Sequence, residues 1–149
     1  MKTKVASIKK TVLVTHSAAE MFELVDNVLE YPNFLPWCSN AEVIKREGNT
    51  LEARVFMDYM KIKNHFGTRN TNTPDREIKM SFLEGPFKKL DGVWQFQPLG
   101  DTACKINFSL DYEFSNALLS KIIGPVFGSI SGSLVHSFVK EADRRYGKK

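Results

Sequence analysis

The stretch from Cys38 to Phe114 alternates apolar and polar residues with a period of two, and this limits the fold more than any other feature. Its last segment, Cys104 to Phe114, has an apolar residue at every second position. Turn signals fall at 47–49, 72–75, 84–86 and 98–101. These intervals leave no room for crossover helices between strands, so the sequence predicts a meander of antiparallel strands with one solvated face.

A strand and a short helix are predicted before this meander. Residues 4–15 contain spaced valines and isoleucine, interrupted by a lysine pair, which indicates an edge or partly exposed strand. Ser17 and Glu20 form a capping box, and apolar residues at helical spacing follow them. Because Pro32 cannot continue a helix, we expect this helix to end before it.

A long helix from Asn116 to Tyr146 is predicted to close the chain. At 100° per residue, one half of its surface is apolar, and this half must lie against the sheet. The apolar half comprises Leu118, Leu119, Ile122, Ile123, Val126, Phe127, Ile130 and Leu134. A strongly curved antiparallel sheet that grips one long helix buries both faces, so the fold class predicted is α+β with a cavity between sheet and helix.

The middle of this helix is locally weak. Gly124, Gly128 and Gly132 each cost about 1 kcal/mol relative to alanine, and Pro125 removes one helical hydrogen bond. One interpretation is close packing of a loop or a neighbouring chain on the glycine side. The other is a hinge, formed by Gly124, Pro125 and Gly128, that lets the helix lift from the sheet.

Residues 31–38, Tyr-Pro-Asn-Phe-Leu-Pro-Trp-Cys, combine two prolines with three aromatic residues. Each proline fixes its own φ and biases the preceding residue away from the helical region, so this segment forms neither an ordinary helix nor a central strand. We call it the elbow. It is either one wall of a site or a plug at the end of the core.

Composition indicates one domain over residues 1–149, with its core at about 4–147. The chain has 149 residues, of which 42% are hydrophobic and 26% charged, and a net charge of +4. This charge allows a basic partner surface without requiring one. No signal peptide or membrane span is predicted near the first residues, so we expect a cytoplasmic protein, with peripheral contact at the inner membrane as an option.

No catalytic or metal-binding motif is recognised in the sequence. The three histidines form no ligand pair, and Cys38 and Cys104 are predicted to be reduced, buried thiols rather than a metal or redox site. Nucleotide-binding glycine motifs and an acid–base pair are likewise not recognised. The sequence therefore favours a non-enzymatic protein that needs no cofactor or metal.

Five motifs carry a resemblance to a known family. They are Tyr31-Pro-x-Phe-Leu-Pro-Trp-Cys38, Phe66-Gly-Thr-Arg-Asn70, Gly85-Pro-Phe87, Leu90-x-Gly-x-Trp94-x-Phe96 and Cys104-Lys-x-x-Phe108. With these motifs the chain, from about Val5 to Gly147, resembles the coenzyme Q-binding START-domain family of the polyketide cyclase/dehydrase and lipid-transport group. The resemblance implies the helix-grip (START or Bet v 1-like) fold that the pattern predicts.

The resemblance implies two functions. Mitochondrial relatives bind ubiquinone and support respiratory electron transfer without catalysing a reaction, which implies that ubiquinone or another isoprenoid lipid binds in the cavity. The candidate lining is Trp37, Val55, Met57, Tyr59, Phe82, Trp94, Phe96, Phe108, Tyr112 and Phe127. Tyr59, His65 and Tyr112 are the candidate polar partners of the quinone head.

The alternative implied by the resemblance is a toxin that binds the large ribosomal subunit and blocks its association with the small one. That function needs an outer basic surface for phosphate contacts. Its candidate residues are Lys61, Lys63, Arg69, Lys88, Lys89, Arg144 and Arg145. DNA is not an expected partner. A cyclase-like enzyme is a third option, because the wider group includes cyclases.

Overall fold

A computed structural model describes residues 5–147 as a curved sheet of seven antiparallel strands with a long helix packed across it. The elements in chain order are β1 (Ala6–Val14), α1 (Ala18–Asp26), a 3₁₀ helix (Val28–Asn33), β2 (Cys38–Glu47), β3 (Thr50–Tyr59), β4 (Ile62–Thr73), β5 (Glu77–Glu84), β6 (Phe87–Pro98), β7 (Cys104–Phe114) and α2 (Ala117–Tyr146). The predicted helix-grip fold is confirmed.

Strands β2 to β7 form the predicted meander, and β1 pairs with β7 to extend the sheet at the other end. The spatial order is β1-β7-β6-β5-β4-β3-β2. In the β1–β7 pair, Val12 lies opposite Ile106. The edge position predicted for the first strand is confirmed, although it begins at Ala6, and residue 4 lies outside the described residues.

The capping box predicted for α1 is present. The Glu20 backbone N–H donates to Ser17 Oγ at 3.1 Å, and the Ser17 N–H donates to Glu20 Oε1 at 2.9 Å. However, α1 ends at Asp26, earlier than Pro32 requires, and the chain continues as a 3₁₀ helix that contains Pro32. The tighter 3₁₀ turn leaves Leu29 56% exposed instead of continuing the apolar face of α1.

One turn escapes the sequence analysis. Met60 and Lys61 join β3 to β4 with φ values of 51° and 67°. Two-residue hairpin turns with both central residues in the left-handed region usually contain asparagine and glycine. Because Met-Lys carries no such signal, the pattern predicted no turn here.

The helix α2 packs on the sheet through much of the predicted apolar half, since Ile123, Phe127 and Ile130 are buried and Leu119, Val126 and Leu134 pack against the core. Asn116 caps it, since its Oδ1 accepts a hydrogen bond from the Leu119 N–H at 2.9 Å. Its buried residues are Ile123, Phe127, Ile130, Ser131, Val135, Phe138, Glu141 and Ala142. Leu118 and Ile122 are 66% and 49% exposed, so their predicted contact with the sheet is wrong. Leu118 and Ile122 lie next to the buried face of α2, whose residues recur at helical spacing to the end of the helix.

By length and composition α2 would also suffice to cross a membrane. Its buried stripe packs on β7 and on the aromatic residues around it. Phe127 of α2 meets Phe87 with ring centroids 5.0 Å apart, and Tyr112 at 4.7 Å. Phe87 stacks on Phe114 at 5.0 Å. This aromatic cluster fills the space between sheet and helix near the start of α2.

Candidate ligand cavity

Beyond the aromatic cluster, the sheet and α2 enclose a cavity of about 90 Å³. Most of its wall is apolar, and among residues 5–147 no charged side chain contributes to it. The lining consists of Val28, Tyr31, Trp37, Ala53, Val55, Phe66, Thr68, Asn70, Met80, Leu90, Trp94, Phe108, Leu110, Phe127, Ile130, Ser131, Leu134 and Phe138. The curvature of the sheet leaves this space, because the cylinder of α2 does not follow the concave surface.

Aromatic rings form the most rigid part of the wall. Trp94 and Phe108, on neighbouring strands, have ring centroids 4.5 Å apart, and Phe138 of α2 lies 5.2 Å from Trp94. The elbow adds Tyr31, whose ring lies 5.3 Å from that of Phe138. Tyr31 and Trp37 both line the cavity. The elbow therefore contributes to the cavity wall, while its Leu35, Trp37 and Cys38 also belong to the buried core, so both interpretations of its sequence stay open.

The structure brings together five of the ten candidate lining residues. Those at the cavity are Trp37, Val55, Trp94, Phe108 and Phe127. Those outside its lining are Met57, Tyr59, Phe82, Phe96 and Tyr112. Phe96 faces inward but is covered by Phe22 of α1, with ring centroids 6.0 Å apart. Tyr112 is covered by Phe127, so it belongs to the aromatic cluster instead.

The three candidate partners of a quinone head do not line the cavity. His65 lies on the outer face of β4, 47% exposed at its side chain, with Nε2 3.6 Å from Glu84 Oε2. Tyr59 stands at the end of β3, and Tyr112 is buried in the aromatic cluster. Successive residues of a strand face opposite sides of the sheet. Since Phe66 lines the cavity, its neighbour His65 lies on the outer face of the sheet.

Two polar lining residues on β4 were not named as candidates. Asn70 is only 7% exposed, and its Oδ1 accepts a hydrogen bond from the Thr68 hydroxyl at 2.8 Å. The two residues lie two positions apart and so share the inner face of the strand. The signal in the sequence is a polar residue at an inward position of a strand, within the motif Phe66-Gly-Thr-Arg-Asn70.

The hydroxyls of Tyr31 and Ser131 already donate hydrogen bonds within the protein. Tyr31 donates to the carbonyl of Val25, and Ser131 Oγ donates to the Phe127 carbonyl at 2.8 Å. Burial raises the pKa of Tyr31 well above its usual value, and Asp26 and Cys38 add to that effect. The phenol therefore stays neutral at physiological pH and cannot serve as a base.

Cys38 and Cys104 are free and buried, as the sequence predicts. Burial raises the pKa of each thiol to about 11, so both are protonated near neutral pH and are poor nucleophiles. Within residues 5–147, no three His, Cys, Asp or Glu side chains come together as a metal site would require. Neither cysteine is among the residues that line the cavity.

The proposed hinge residues lie inside an uninterrupted α2. A Cβ on Gly124 would lie 3.8 Å from Phe114 Cε2, and one on Gly128 would lie 3.8 Å from the Tyr112 hydroxyl oxygen. A Cβ on Gly132 would meet nothing within 4 Å. No other part of this chain therefore packs so closely on Gly124, Gly128 or Gly132 that a side chain would be excluded there.

The seven candidate ribosome-binding residues do not form one surface. Lys88 lies 3.8 Å from Glu113, next to the start of α2, whereas Arg144 is near the end of that helix. At 1.5 Å per residue, about 40 Å of helix separates these two places. Arg69 is paired with Glu52, Lys89 with Asp91, and Arg144 and Arg145 with Glu141. Within the described residues, Lys61 and Lys63 have no ion pair.

Comparison with known protein families shows which family this chain belongs to. Residues 14–139 match the family described as polyketide cyclase / dehydrase and lipid transport. The chain belongs to that family, whose match spans the elbow, all strands from β2 to β7 and most of α2.

Two curated proteins illustrate which members of the family resemble this chain. The chain is 38% identical to the Ribosome association toxin RatA of Escherichia coli over 146 residues, which are 98% of this chain and 92% of the relative. It is 26% identical over 137 residues to the mitochondrial Coenzyme Q-binding protein COQ10 homolog B of Xenopus laevis, covering 89% of this chain and 56% of that protein. The predicted family resemblance is confirmed.

Solved structures agree with the fold. The crystal structure of the Zhui aromatase/cyclase from a Streptomyces species superposes with a TM-score of 0.82, at 19% identity, and covers 96% of each chain. At this identity the likeness concerns the fold alone.

Proposed function

We propose that this protein binds an uncharged hydrophobic molecule in the cavity between the sheet and α2 without transforming it. The observation that carries the proposal is the enclosed, charge-free wall built by Trp94, Phe108, Phe127 and the elbow. Such walls favour ligands by removing apolar surface from water, at about 25 cal/mol per Å². A ubiquinone-like lipid is the proposed ligand, in line with the name of the Xenopus relative. The proposed location is the cytoplasm, with transient contact at the membrane that holds such lipids.

The size of the cavity implies that the helix moves when a quinone binds. Ligand pockets usually measure about 300–1,000 Å³, whereas this cavity measures about 90 Å³. Residues 127–138 of α2 form one of its walls, and the hinge residues lie at the start of this segment. Bending at Gly124, Pro125 and Gly128 would widen the cavity without unfolding the sheet.

Tryptophan fluorescence provides the test, because both tryptophans of the chain line the cavity. Titration with decylubiquinone is expected to quench Trp37 and Trp94 with saturation. Val55→Phe places a larger side chain in the cavity and is expected to abolish the saturable quenching. Val43→Phe makes the same change at a site that is 38% exposed on β2 and should bind as the wild type does.

Absence of saturable quenching in the wild type, or equal quenching in Val55→Phe, would contradict ligand binding in this cavity. Circular dichroism of each variant establishes that the fold is retained. Organic extraction of the protein purified from its own host, followed by mass spectrometry, then identifies any lipid that it carries.

Association with the large ribosomal subunit is the second candidate, because relatives from Escherichia coli and Pseudomonas aeruginosa, at 38% and 35% identity, are named for ribosome association. Lys61 and Lys63 are the best candidates for phosphate contacts, since both are exposed and neither has an ion pair within residues 5–147. Each phosphate contact makes binding more sensitive to salt.

Cosedimentation with large ribosomal subunits tests this candidate. We expect binding at low salt that weakens steeply as salt increases, and a strong loss for the double variant Lys61→Glu, Lys63→Glu. The double variant Lys9→Glu, Lys10→Glu makes the same charge change on β1, where both lysines are exposed, and should bind normally. Equal loss in both double variants would show that the effect comes from net charge alone.

A further inference from the structure

Asn70 has hydrogen-bonding capacity that the protein does not use. The residue is 7% exposed, its Oδ1 accepts from Thr68, and its Nδ2 makes no hydrogen bond to another side chain or backbone group within residues 5–147. The buried side-chain atoms without a partner among these residues are His16 Nδ1 and Asn72 Oδ1, so the Asn70 amide is not sealed off but open to the cavity. Because Asn70 lines the cavity, a bound molecule can supply the missing acceptor.

The neighbouring polar groups do not satisfy this amide. Tyr31 and Ser131 donate their hydroxyl protons to backbone carbonyls, and Thr68 donates its own to Asn70 Oδ1. The indole N–H groups of Trp37 and Trp94 can only donate. The N–H groups of Asn70, Trp37 and Trp94 at the cavity can therefore be satisfied only by an acceptor atom of the ligand.

The charge of the ligand is restricted as well. In the part of the chain that the structure describes, no Lys, Arg, His, Asp or Glu lines the cavity. A carboxylate or ammonium group transferred into such surroundings would lose its hydration without gaining a counter-ion, which is strongly unfavourable. Fatty acids and the phosphate groups of lipids are therefore poor candidates for the enclosed part of a ligand.

We propose that Asn70 is the specificity residue of the cavity and that it donates a hydrogen bond to the carbonyl oxygen of an uncharged ligand. This inference rests on the proposed function, since it concerns the same cavity. The ligand class is a ketone or quinone with an otherwise apolar body. Thr68 holds the amide so that its N–H groups remain available to the ligand.

Three small probes with the same ring separate carbonyl recognition from apolar burial: para-methylacetophenone, para-ethyltoluene and para-toluate. Their dissociation constants are measured by ligand-observed NMR with the wild type and with Asn70→Leu. We expect Asn70→Leu to weaken the ketone about tenfold, the value of one hydrogen bond of 1.4 kcal/mol, and to leave the hydrocarbon unchanged or tighter. The carboxylate is expected to bind the wild type at least about tenfold more weakly than the ketone.

Thr71→Leu is the matched control, because Thr71 is the exposed neighbour of Asn70 on β4. It should leave all three dissociation constants unchanged. If the hydrocarbon binds and Asn70→Leu does not alter the ratio of ketone to hydrocarbon affinity, the role of Asn70 is wrong and the proposed function stands. If neither the ketone nor the hydrocarbon binds the wild type, the proposed function fails together with this inference.

A measurement on the wild type alone covers the case in which Asn70→Leu does not fold. The infrared carbonyl stretch of bound, isotope-labelled para-methylacetophenone is expected at a lower frequency than in hexane, because a hydrogen bond from Nδ2 polarises the C=O bond. A band at the hexane frequency would overturn the proposal.

Discussion

The two ends of α2 are held in very different ways, although both belong to one continuous helix. At the C-terminal end, Phe138 packs among Tyr31, Phe34 and Trp94, with ring centroids 5.2–5.3 Å away. At the N-terminal end, Leu118 and Ile122 are largely exposed. Aromatic contacts hold α2 from Phe127 to Phe138, whereas Leu118 and Ile122 in its first two turns largely face water.

Polar contacts increase this difference. Glu141, 5% exposed, binds Arg144 and Arg145, and Arg145 also lies 3.4 Å from Glu30 beside the elbow. The buried His16 places its Nε2 2.7 Å from Asp143 Oδ1, which connects α2 to the residues before α1. The cavity lies between the two ends. If α2 bends at the proposed hinge, Gly124, Pro125 and Gly128, the cavity would open while the C-terminal end of the helix stays in place.

The largest effect is expected for Phe138→Ala. Phe138 is 1% exposed, and its removal leaves a void among three rings, so the free energy of unfolding should fall by about 3–5 kcal/mol. Leu118→Ala at the other end should change it by less than about 0.5 kcal/mol, since that side chain is 66% exposed. Urea denaturation measures both. A similar loss in the two variants would remove the asymmetry on which the opening mechanism depends.

The next effect concerns Glu141 and depends on pH. Hydrogen bonds from Arg144, and then from Arg145, hold the pKa of Glu141 below its usual value against the opposing effect of burial. A carboxyl with a lowered pKa in the folded state stabilises the protein above its unfolded pKa of about 4.3, and this contribution is lost as the pH falls through the folded pKa. Glu141→Gln should therefore cost about 1–3 kcal/mol at pH 7 and less in acid.

Urea midpoints of the wild type and of Glu141→Gln, followed from neutral pH into acid, measure this difference. Glu47→Gln is the control, because Glu47 forms an exposed pair with Lys45 and its loss should not shift the midpoint. A gap between wild type and Glu141→Gln that stays constant with pH would assign the effect to packing instead of charge.

The sequence was sufficient for the elements that depend on local periodicity. The alternation in Cys104 to Phe114, the capping box at Ser17 and the length of α2 all appear in the structure. The Met60–Lys61 turn could not be predicted, because neither residue favours the left-handed conformation that both adopt. There, tertiary pairing of β3 with β4 overrides local preference.

The site was less predictable, for a physical reason. Alternation tells which side chains of a strand face inward, but not which other element covers them. Phe96 and Phe108 both face inward, yet α1 covers Phe96 while Phe108 borders the cavity. Asn70 has neither a ring nor a hydroxyl, the groups expected to bind a quinone head. Its inward position on β4 is visible in the sequence only once the register of that strand is known.

The smallest effect is the sharpest test of the weak middle of α2. Gly128→Ala and Gly132→Ala should each raise the free energy of unfolding by about 0.5–1 kcal/mol, because alanine favours the helix and neither Cβ would meet an atom closer than 3.8 Å. The two variants differ in position, since only Gly128 belongs to the proposed hinge. Stopped-flow quenching by decylubiquinone should therefore be slower in Gly128→Ala than in Gly132→Ala at similar stability. Equal uptake rates in the two variants would show that α2 does not bend at Gly128. The packed C-terminal end of α2 would remain the fixed part of the helix in any other opening motion.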